Sequence, residues 1–225
     1  SVSGQARSEV LTGRVQVDGG RKEIVLGAGF GSSAEPGKPP VAPSRLLAAP
    51  ELSALPAILE RVPLRFAWNP LPDSRGYRAQ VLDSSANLIL DGVFQDNAAR
   101  WPDLPDGRYT LRVRGIGGDR LEGIDAQHAF TLNARPEPPF TSAPTNKAYG
   151  ESTQFSWSET AGIDFYHFQL ASDAAFSRLL TDEPALTASR IVLPLAPGRY
   201  YWRVASIDKG DHGPFGDAVA FEQRP

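Results

Sequence analysis

The sequence predicts an all-β protein in which two similar β-sandwich domains stand in tandem behind a short β-hairpin stub. Three observations carry this prediction. Apolar residues alternate with period two through both halves, which is typical of strands with one buried face, and no window keeps the spacing of an amphipathic helix. Proline-rich stretches divide the 225 residues into three parts. The second and third parts repeat one another.

The N-terminal part is predicted to hold two strands joined by a tight turn. The runs Glu9 to Val17 and Arg21 to Leu26 flank Asp18-Gly19-Gly20, a hairpin signal. Because an isolated hairpin is marginal in water, it must pack on the following domains or belong to a domain cut off upstream. The glycine-rich segment at 27–31 is interpreted as a turn, since proline-rich linker follows it and not a phosphate-binding helix.

The first domain is predicted to begin without a helix. Pro50 to Glu60 is the one helix candidate, and Pro56 interrupts it. We therefore expect an irregular lead-in followed by a first strand.

The internal repeat joins residues about 90 positions apart. The run LPDGRYTLRVRGI at 104–116 returns as LAPGRYYWRVASI at 195–207, and the aromatic residues of the preceding strands recur 89 residues later. These aromatic pairs are Phe66 and Phe155, Trp68 and Trp157, and Tyr77 and Tyr166. A repeat of this size matches a small sandwich domain. We expect domains at 44–135 and 136–225, after an N-terminal region at 1–43.

Each domain is predicted to bury alternate aromatic and branched residues. In addition to the aromatic pairs, these are Leu64, Ala79, Val81, Tyr109, Leu111 and Val113 in the first domain and Phe168, Leu170, Tyr200, Trp202 and Val204 in the second. Ala79 and Leu111 stand where the second domain has Phe168 and Trp202. We expect backbone spacing or different neighbours to take up the difference in volume.

Composition excludes several classes of function. The chain has no cysteine, which removes disulfide scaffolds, zinc ribbons and thiol catalysis. Its net charge of -3 without a basic cluster argues against a nucleic-acid partner. No apolar run is long enough to span a membrane, and no cofactor is predicted. The absence of methionine leads us to expect a processed piece of a larger protein.

Each repeat resembles a fibronectin type III domain, which has an Ig-like fold. Trp68 and Trp157 match the tryptophan of the second strand in that family, and Tyr77 and Tyr166 match the tyrosine of the third. The motifs at 104–109 and 195–200 resemble its tyrosine corner. The resemblance implies a hydroxyl that bonds back to upstream backbone.

The opening segment, from Val2 to Gly31, is similar to the end of a FecR-type periplasmic domain. The matching residues are Val10, Gly13, Val15, Val17, Val25, Leu26, Gly29 and Gly31. The order of this segment and two fibronectin-like repeats resembles envelope proteins of Gram-negative bacteria. The resemblance implies a periplasmic or envelope location and a binding or scaffolding role.

The three histidines do not suggest nucleophilic catalysis. His128, His167 and His212 lack a neighbouring nucleophile motif. Alternation is interpreted as placing His128 and His167 opposite the core faces, as solvated sheet residues. The acidic residues of the first domain fall mostly at predicted turns, so paired-carboxylate chemistry is not favoured either.

The loop at 208–217 is the weak candidate for a site. Asp208, Asp211, His212 and Asp217 offer hard ligands suited to a divalent cation such as Ca²⁺. Lys209-Gly210-Asp211 resembles a variant of integrin-binding tripeptides. A polar turn without function explains the same residues and is the favoured interpretation.

Two glutamine–arginine pairs are predicted on outward sheet faces. Gln80 with Arg112, and Gln169 with Arg203, lie on strands that neighbour each other in this fold, so we expect cross-sheet pairing. Arg78 and Arg114 lie nearby, and one sheet face could bind a partner.

The sequence predicts a non-enzymatic envelope protein whose sandwiches act as spacers or as modules that bind a protein or a cell-wall component. One alternative is a regulator that relays a periplasmic signal to a sigma-factor system. A second alternative is an accessory module of a carbohydrate-active enzyme, which would need an exposed aromatic platform. Trp101 and Tyr149 are the aromatic residues least tied to the predicted cores.

Overall fold

The computed structural model describes residues 6–20 and 22–225, and its regular structure is β-strand throughout. Within these residues no helix is long and apolar enough to cross a membrane. The chain divides into two compact units, Ser1–Leu132 and Asn133–Pro225. The three predicted domain ranges stay a prediction. Positions 1–5 and 21, which include parts of the FecR-like pattern and the predicted hairpin, lie outside the described residues.

Five strands form the described part of the N-terminal region. Strands β1 (Ala6–Val10), β4 (Phe30–Ala34) and β5 (Ser44–Arg45) make one antiparallel sheet, and β2 (Arg14–Gly19) pairs with β3 (Lys22–Gly27). The predicted hairpin is therefore present as β2 and β3. The region holds more strands than the two predicted.

The additional strands arise because glycines divide the predicted runs. Gly13 has a φ of 76°, and the chain turns there between β1 and β2. Gly29 has a φ of 80° and turns the chain from β3 into β4. The interpretation of 27–31 as a turn holds for positions 28–29, whereas Gly27 ends β3 and Phe30 begins β4. Glycine adopts this left-handed conformation without steric cost.

The N-terminal strands pack against the first sandwich. A Cβ built on Gly31 of β4 would lie 2.9 Å from side-chain atoms of both Leu46 and Leu121, so glycine permits a close approach here. The Glu122 amide donates a hydrogen bond to the Glu9 carboxylate at 3.2 Å. Of the two placements that the sequence left open, the structure shows packing on the following domain.

Seven strands form the first sandwich. They are β6 (Ile58–Leu59), β7 (Leu64–Ala67), β8 (Gly76–Asp83), β9 (Leu88–Phe94), β10 (Ala98–Trp101), β11 (Gly107–Ile116) and β12 (Ala126–Leu132). Strands β7 and β10 pair as one sheet, and the second sheet has the order β6-β12-β11-β8-β9. The candidate helix at Pro50–Glu60 is absent, and a strand begins at Ile58, as the interruption by proline predicted.

The core of the first sandwich fills the space beside Ala79 and Leu111 with a ring from another strand. Ala79 and Leu111 are fully buried on those two strands. Trp101 of β10 is 8% exposed and packs edge-on against Phe66 at 6.2 Å and Phe94 at 5.3 Å between ring centroids. A different neighbour thus supplies the volume, and Trp101 belongs to the core.

Nine strands form the second sandwich. They are β13 (Thr141–Ala143), β14 (Lys147–Tyr149), β15 (Ser152–Trp157), β16 (Phe165–Ala171), β17 (Leu179–Leu186), β18 (Arg190–Pro194), β19 (Gly198–Asp208), β20 (Asp211–Phe215) and β21 (Val219–Arg224). One sheet has the order β13-β15-β18. The other has the order β14-β21-β19-β16-β17, with β20 paired to β19.

The core of the second sandwich is an aromatic cluster around Phe155. The ring of this residue contacts Phe168, Trp202 and Phe221, with centroids 5.0, 5.4 and 5.6 Å away. All four side chains are buried. Because rings in this arrangement add attraction to the burial of apolar area, the domain is held together without disulfides.

The tyrosine corner is present in both sandwiches. The Tyr109 hydroxyl donates to the Pro105 carbonyl oxygen at 2.7 Å, and the Tyr200 hydroxyl donates to the Ala196 carbonyl oxygen at 2.9 Å. Together with the strand order, this confirms two tandem Ig-like, fibronectin type III-like sandwiches.

Candidate binding face of the second sandwich

The outward face of β16, β17, β19 and β20, here called the binding face, is organised by a cross-strand pair. Gln169 stands opposite Arg203, whose Nε and Nη2 donate to Gln169 Oε1 at 2.9 and 2.7 Å. Arg112 donates to Gln80 Oε1 in the first sandwich at 3.0 and 2.7 Å. Both predicted pairs are therefore confirmed.

Two aromatic rings enclose the guanidinium of Arg203. Its Cζ lies 4.0 Å from the ring centroid of Phe176 and 4.2 Å from that of Phe215. Cation–π attraction acts within roughly 6 Å of a ring centroid, so both rings stabilise the charge. Phe176 comes from the loop between β16 and β17, and Phe215 from the end of β20. All three side chains are half-buried, so solvent still reaches part of this stack.

The Phe176 ring is held over Arg203 by an unusual backbone conformation. Phe176 has a φ of 56°, in the left-handed region that bulky residues rarely adopt. Asp173 organises the loop: its carboxylate accepts hydrogen bonds from the amides of Ala175, Ser177 and Arg178 at 3.1, 3.2 and 2.8 Å. The loop therefore fixes the ring at a cost in backbone strain.

A chain of hydrogen bonds runs through the imidazole pair, His167 and His212. His167 Nε2 lies 2.6 Å from Asp182 Oδ1, and His167 Nδ1 lies 2.8 Å from His212 Nε2. His212 Nδ1 lies 2.7 Å from the Gly213 carbonyl oxygen. The ring of Phe215 contacts both imidazoles, with centroids 4.9 and 5.6 Å away.

His167 faces outward, as predicted, but it is not a solvated residue. Only 14% of its side chain is exposed, because His212, Phe215 and Asp182 surround it. The prediction of a solvated sheet histidine was wrong in this respect, since its cross-sheet neighbours come from distant parts of the sequence.

His128 lies on the opposite face from the one predicted. It stands directly across from the buried Leu111, and cross-strand partners share a face. Phe130, two residues further along β12, is also buried. The outward placement of His128 was therefore wrong. Its Nε2 contacts the Pro56 carbonyl oxygen at 3.1 Å.

The hydrogen-bond partners of the imidazole pair include one carboxyl that is held ionised. The hydrogen bond from His167, followed by that from Gln169, keeps the pKa of Asp182 below its ordinary value of 3.8. At the other end of the pair, the Gly213 carbonyl oxygen only accepts, so His212 Nδ1 carries a hydrogen.

The first sandwich has a cation at the equivalent sheet position. In each sandwich the paired glutamine stands opposite an aspartate, Asp91 or Asp182. Arg78 lies two residues before that glutamine in the first sandwich, and His167 lies two residues before it in the second. Arg78 donates to Asp91 at 2.9 and 2.5 Å and to Glu122 at 2.9 Å. The repeat thus keeps a nitrogen-bearing side chain beside the aspartate and changes its chemical type.

The candidate metal loop at 208–217 is a β-hairpin. Lys209 and Gly210 have φ values of 50° and 83°, the pattern of a type I′ turn, and Asp208 stands opposite Asp211. Among the residues that the structure describes, no group of three or more His, Asp or Glu side chains is placed to hold a metal ion. The geometry gives no support to the proposed set of ligands, which comprised Asp208, Asp211, His212 and Asp217.

The candidate tripeptide Lys209-Gly210-Asp211 occupies the exposed tip of this hairpin. The Lys209 amide donates to Asp164 Oδ2 at 2.8 Å, while 88% of its side chain is exposed. A binding role for the tripeptide stays a prediction.

Phe176, Phe215 and Asp182 are members of the binding face that the sequence-based reasoning missed. One signal was present: the 91-residue offset that relates Leu104 to Leu195 also relates Asp91 to Asp182. The rings had no comparable signal, because the first repeat has Ala86 at the position of Phe176.

Comparisons with known proteins give structural neighbours only. No protein-family model and no curated protein matches the chain. The FN1–FN3 domains of chicken CNTN1 are 14% identical, with a TM-score of 0.39, over 87% of this chain and 78% of that one. The fibronectin(III)-like modules of Clostridium thermocellum CbhA are 14% identical, with a TM-score of 0.30, over 74% and 87%. A two-domain fibronectin type III segment of chicken tenascin is 15% identical, with a TM-score of 0.32, over 70% and 90%.

Proposed function

We propose that this chain is a non-enzymatic binding and scaffold segment of a bacterial cell-envelope protein, and that the binding face contacts a protein or cell-wall partner. The observation that carries the proposal is the Arg203 guanidinium held between the rings of Phe176 and Phe215 at a solvent-accessible surface. Aromatic residues and arginine are the types enriched where proteins bind one another.

The internal repeat indicates that the Phe176 ring does not serve the fold. Ala86 occupies the Phe176 position in the first sandwich, with a φ of 62°, and Asp83 caps the same loop through the amides of Ser85 and Asn87. The first sandwich builds its core and its Gln80–Arg112 pair without a ring at this place. A phenylalanine in a strained conformation is therefore better explained by recognition than by stability.

The envelope location rests on the FecR-like residues of the opening segment. The regulator alternative differs by requiring a cytoplasmic region and one membrane span in the parent protein. The carbohydrate alternative draws on exposed rings elsewhere in the second sandwich, since Tyr149 is 64% and Phe140 is 85% exposed. The binding face is favoured because its rings flank a charged group and are fixed in place.

The test is site-specific photo-crosslinking in the cells of the bacterium that makes the protein, followed by fractionation. A photoreactive phenylalanine replaces Leu180, which lies on β17 and is 53% exposed. The matched control replaces Val192, which lies on the other sheet and is 56% exposed. We expect a discrete crosslinked product from position 180 in the periplasmic or envelope fraction, and none from position 192.

A second variant tests whether the crosslinked product depends on Arg203. Arg203→Ala combined with the probe at position 180 is expected to abolish crosslinking, while the circular dichroism of the purified chain stays that of a β-sandwich. Equal products from both probe positions, or none from position 180, would contradict the assignment of the binding face. Recovery in the cytoplasmic fraction would contradict the location.

A further inference from the structure

The outward face of the two-stranded sheet in the first sandwich brings two arginines together. Arg65 of β7 and Arg100 of β10 are direct cross-strand partners in the register of these strands. Both are exposed, and each stands between two buried residues of its strand, so both side chains lie on the outward face. The Cβ atoms of such partners lie about 4.5–5.5 Å apart, so both guanidinium groups can reach one small ligand.

The charges of these two arginines are not compensated by a carboxylate. Among the residues that the structure describes, neither guanidinium makes a hydrogen bond or an ion pair. Like charges that stand directly opposite each other in a sheet destabilise it. The pair therefore concentrates positive charge at one place on a chain whose net charge is -3, at a cost in stability that a bound anion would remove.

The second sandwich shows that the fold does not require this pair. Gln154 precedes the equivalent phenylalanine in the repeat, where the first sandwich has Arg65. Gln154 stands opposite Val192, as Arg65 stands opposite Arg100, and both residues of the second sandwich are exposed. The equivalent sheet therefore forms with two uncharged residues at these positions, and the arginines are better explained by recognition than by folding.

The chemistry of two neighbouring guanidinium groups favours a phosphoryl ligand over a carboxylate. Each guanidinium presents its N–H donors as a planar fork, which the two oxygens of one carboxylate can fill. A phosphoryl group has three strong acceptor oxygens and a charge of about −1.5 to −2, so it can accept from two forks and neutralise both. We propose that Arg65 and Arg100 form a binding site for the phosphoryl group of a phosphate monoester.

The surface next to the pair has room for the rest of such a ligand. Arg65 also lines an open pocket of about 510 Å³, whose other charged residues, Glu60 and Arg61, have opposite signs. Two cations neutralise one phosphoryl group and not the many phosphates of a nucleic acid. The inference goes beyond the proposed function, because this site belongs to the first sandwich and the binding face to the second.

The experiment titrates inorganic phosphate into the whole chain at constant ionic strength and follows backbone and arginine N–H signals by nuclear magnetic resonance. We expect saturable shifts at Arg65 and Arg100, and weaker binding of acetate in a parallel titration. Arg65→Gln and Arg100→Val introduce the residues of the second sandwich, and each should weaken phosphate binding about tenfold by removing charged hydrogen bonds.

The second sandwich supplies two matched controls. Arg190→Gln removes an exposed arginine of β18 that stands opposite an uncharged residue, and this variant should bind phosphate like the wild type. Gln154→Arg combined with Val192→Arg places an arginine pair at the equivalent position. We expect this double variant to gain a second phosphate site.

Vesicles distinguish the two sources of a phosphate monoester. Co-sedimentation of the wild type, but not of Arg65→Gln, with vesicles of phosphatidic acid and not of phosphatidylcholine would assign the phosphoryl group to a lipid. Phosphate binding without co-sedimentation would assign it to a soluble ester.

Three results would overturn the proposal: equal phosphate affinity in the wild type and both arginine variants, acetate binding as tight as phosphate binding, or loss of binding in Arg190→Gln. Thermal unfolding shows whether each variant is folded. If Arg65→Gln and Arg100→Val both unfold, the double variant of the second sandwich is decisive, because it leaves the first pair intact. No partner protein is present, so failure of this experiment is distinguishable from failure of the crosslinking experiment.

Discussion

His167 occupies in the second sandwich the sheet position that Arg78 occupies in the first, and each contacts the aspartate of the neighbouring strand, at 2.6 Å for His167 and at 2.5 Å for Arg78. The two strand pairs share their register around the paired glutamine. The two repeats therefore share one hydrogen-bonded arrangement and differ in the residue that contacts the aspartate.

This relationship predicts that His167→Arg is nearly as stable as the wild type, whereas His167→Leu is not. Arginine can restore a charged hydrogen bond to Asp182, while leucine removes it and leaves His212 without its imidazole partner. We expect the leucine variant to lose about 1–2 kcal/mol of unfolding free energy relative to the arginine variant. Urea unfolding of both variants measures this difference, and equal midpoints would show that the bond contributes nothing.

The left-handed backbone at Phe176 predicts that a glycine variant at this position is at least as stable as an alanine variant. Phe176→Ala loses the ring over Arg203, worth about 0.5–1 kcal/mol, and keeps the strained conformation. Phe176→Gly loses the same ring and relieves the strain, so it should be at least as stable as the alanine variant. Ala86→Gly, at the equivalent φ of 62°, is the control in the first sandwich and should also be tolerated. Thermal unfolding compares the three, and a glycine variant clearly below Phe176→Ala would contradict the account.

Gly213 is predicted to tolerate no side chain. A Cβ at this position would lie 1.9 Å from the Pro136 carbonyl oxygen, an approach that requires the backbone to move. We expect Gly213→Ala to cost about 1–3 kcal/mol of unfolding free energy. Gly216→Ala is the control, because its nearest neighbour, the Val204 carbonyl oxygen, would be 3.4 Å away. Chemical denaturation of the two variants should separate them, and similar midpoints would count against the close contact.

The Asp91–Arg78 pair predicts an acid-sensitive contribution to the stability of the first sandwich. The hydrogen bond from Arg78 holds the pKa of Asp91 below its ordinary value of 3.8. A carboxyl whose pKa is lowered by folding stabilises the protein above its unfolded pKa, and this stabilisation is lost as pH falls through the folded pKa. Asp91→Asn should therefore be less stable than the wild type at pH 7, and the difference should shrink below about pH 4.

The measurement is urea unfolding of the wild type and Asp91→Asn at several values between pH 7 and pH 2.5. Asp96→Asn serves as a control for the loss of one carboxylate. A difference between Asp91→Asn and the wild type that stays constant across this range would rule out the contribution.

Much of the fold could be predicted because burial in a sheet follows a period of two. The alternating residues around Phe66 and Phe155 are buried as expected, except for Tyr109 and Tyr200, which are half-buried. These two tyrosines form the expected corners. The exception in the cores, Trp101, could not be placed by alternation alone, because its role depends on which rings face it across the sandwich.

The candidate site was less predictable because its members meet across strands. Alternation placed Gln169 and Arg203 on one outward face, and their hydrogen bonds follow from the register of neighbouring strands. Nothing in the local sequence of His167 indicates His212, which is 45 residues away. The metal interpretation of the 208–217 loop grouped residues by sequence proximity, and among the described residues no three such side chains are placed to hold an ion.

By itself, the sequence determined that this protein is all-β, repeats one sandwich and buries a defined set of aromatic residues, because period-two patterning and internal repetition are properties of the chain. Only the tertiary structure decided that the short N-terminal strands pack on the first sandwich, and that Arg203 and the imidazole pair form one cluster. The physical reason is that the register of the antiparallel strands and the path of the β20 hairpin determine which residues neighbour each outward side chain.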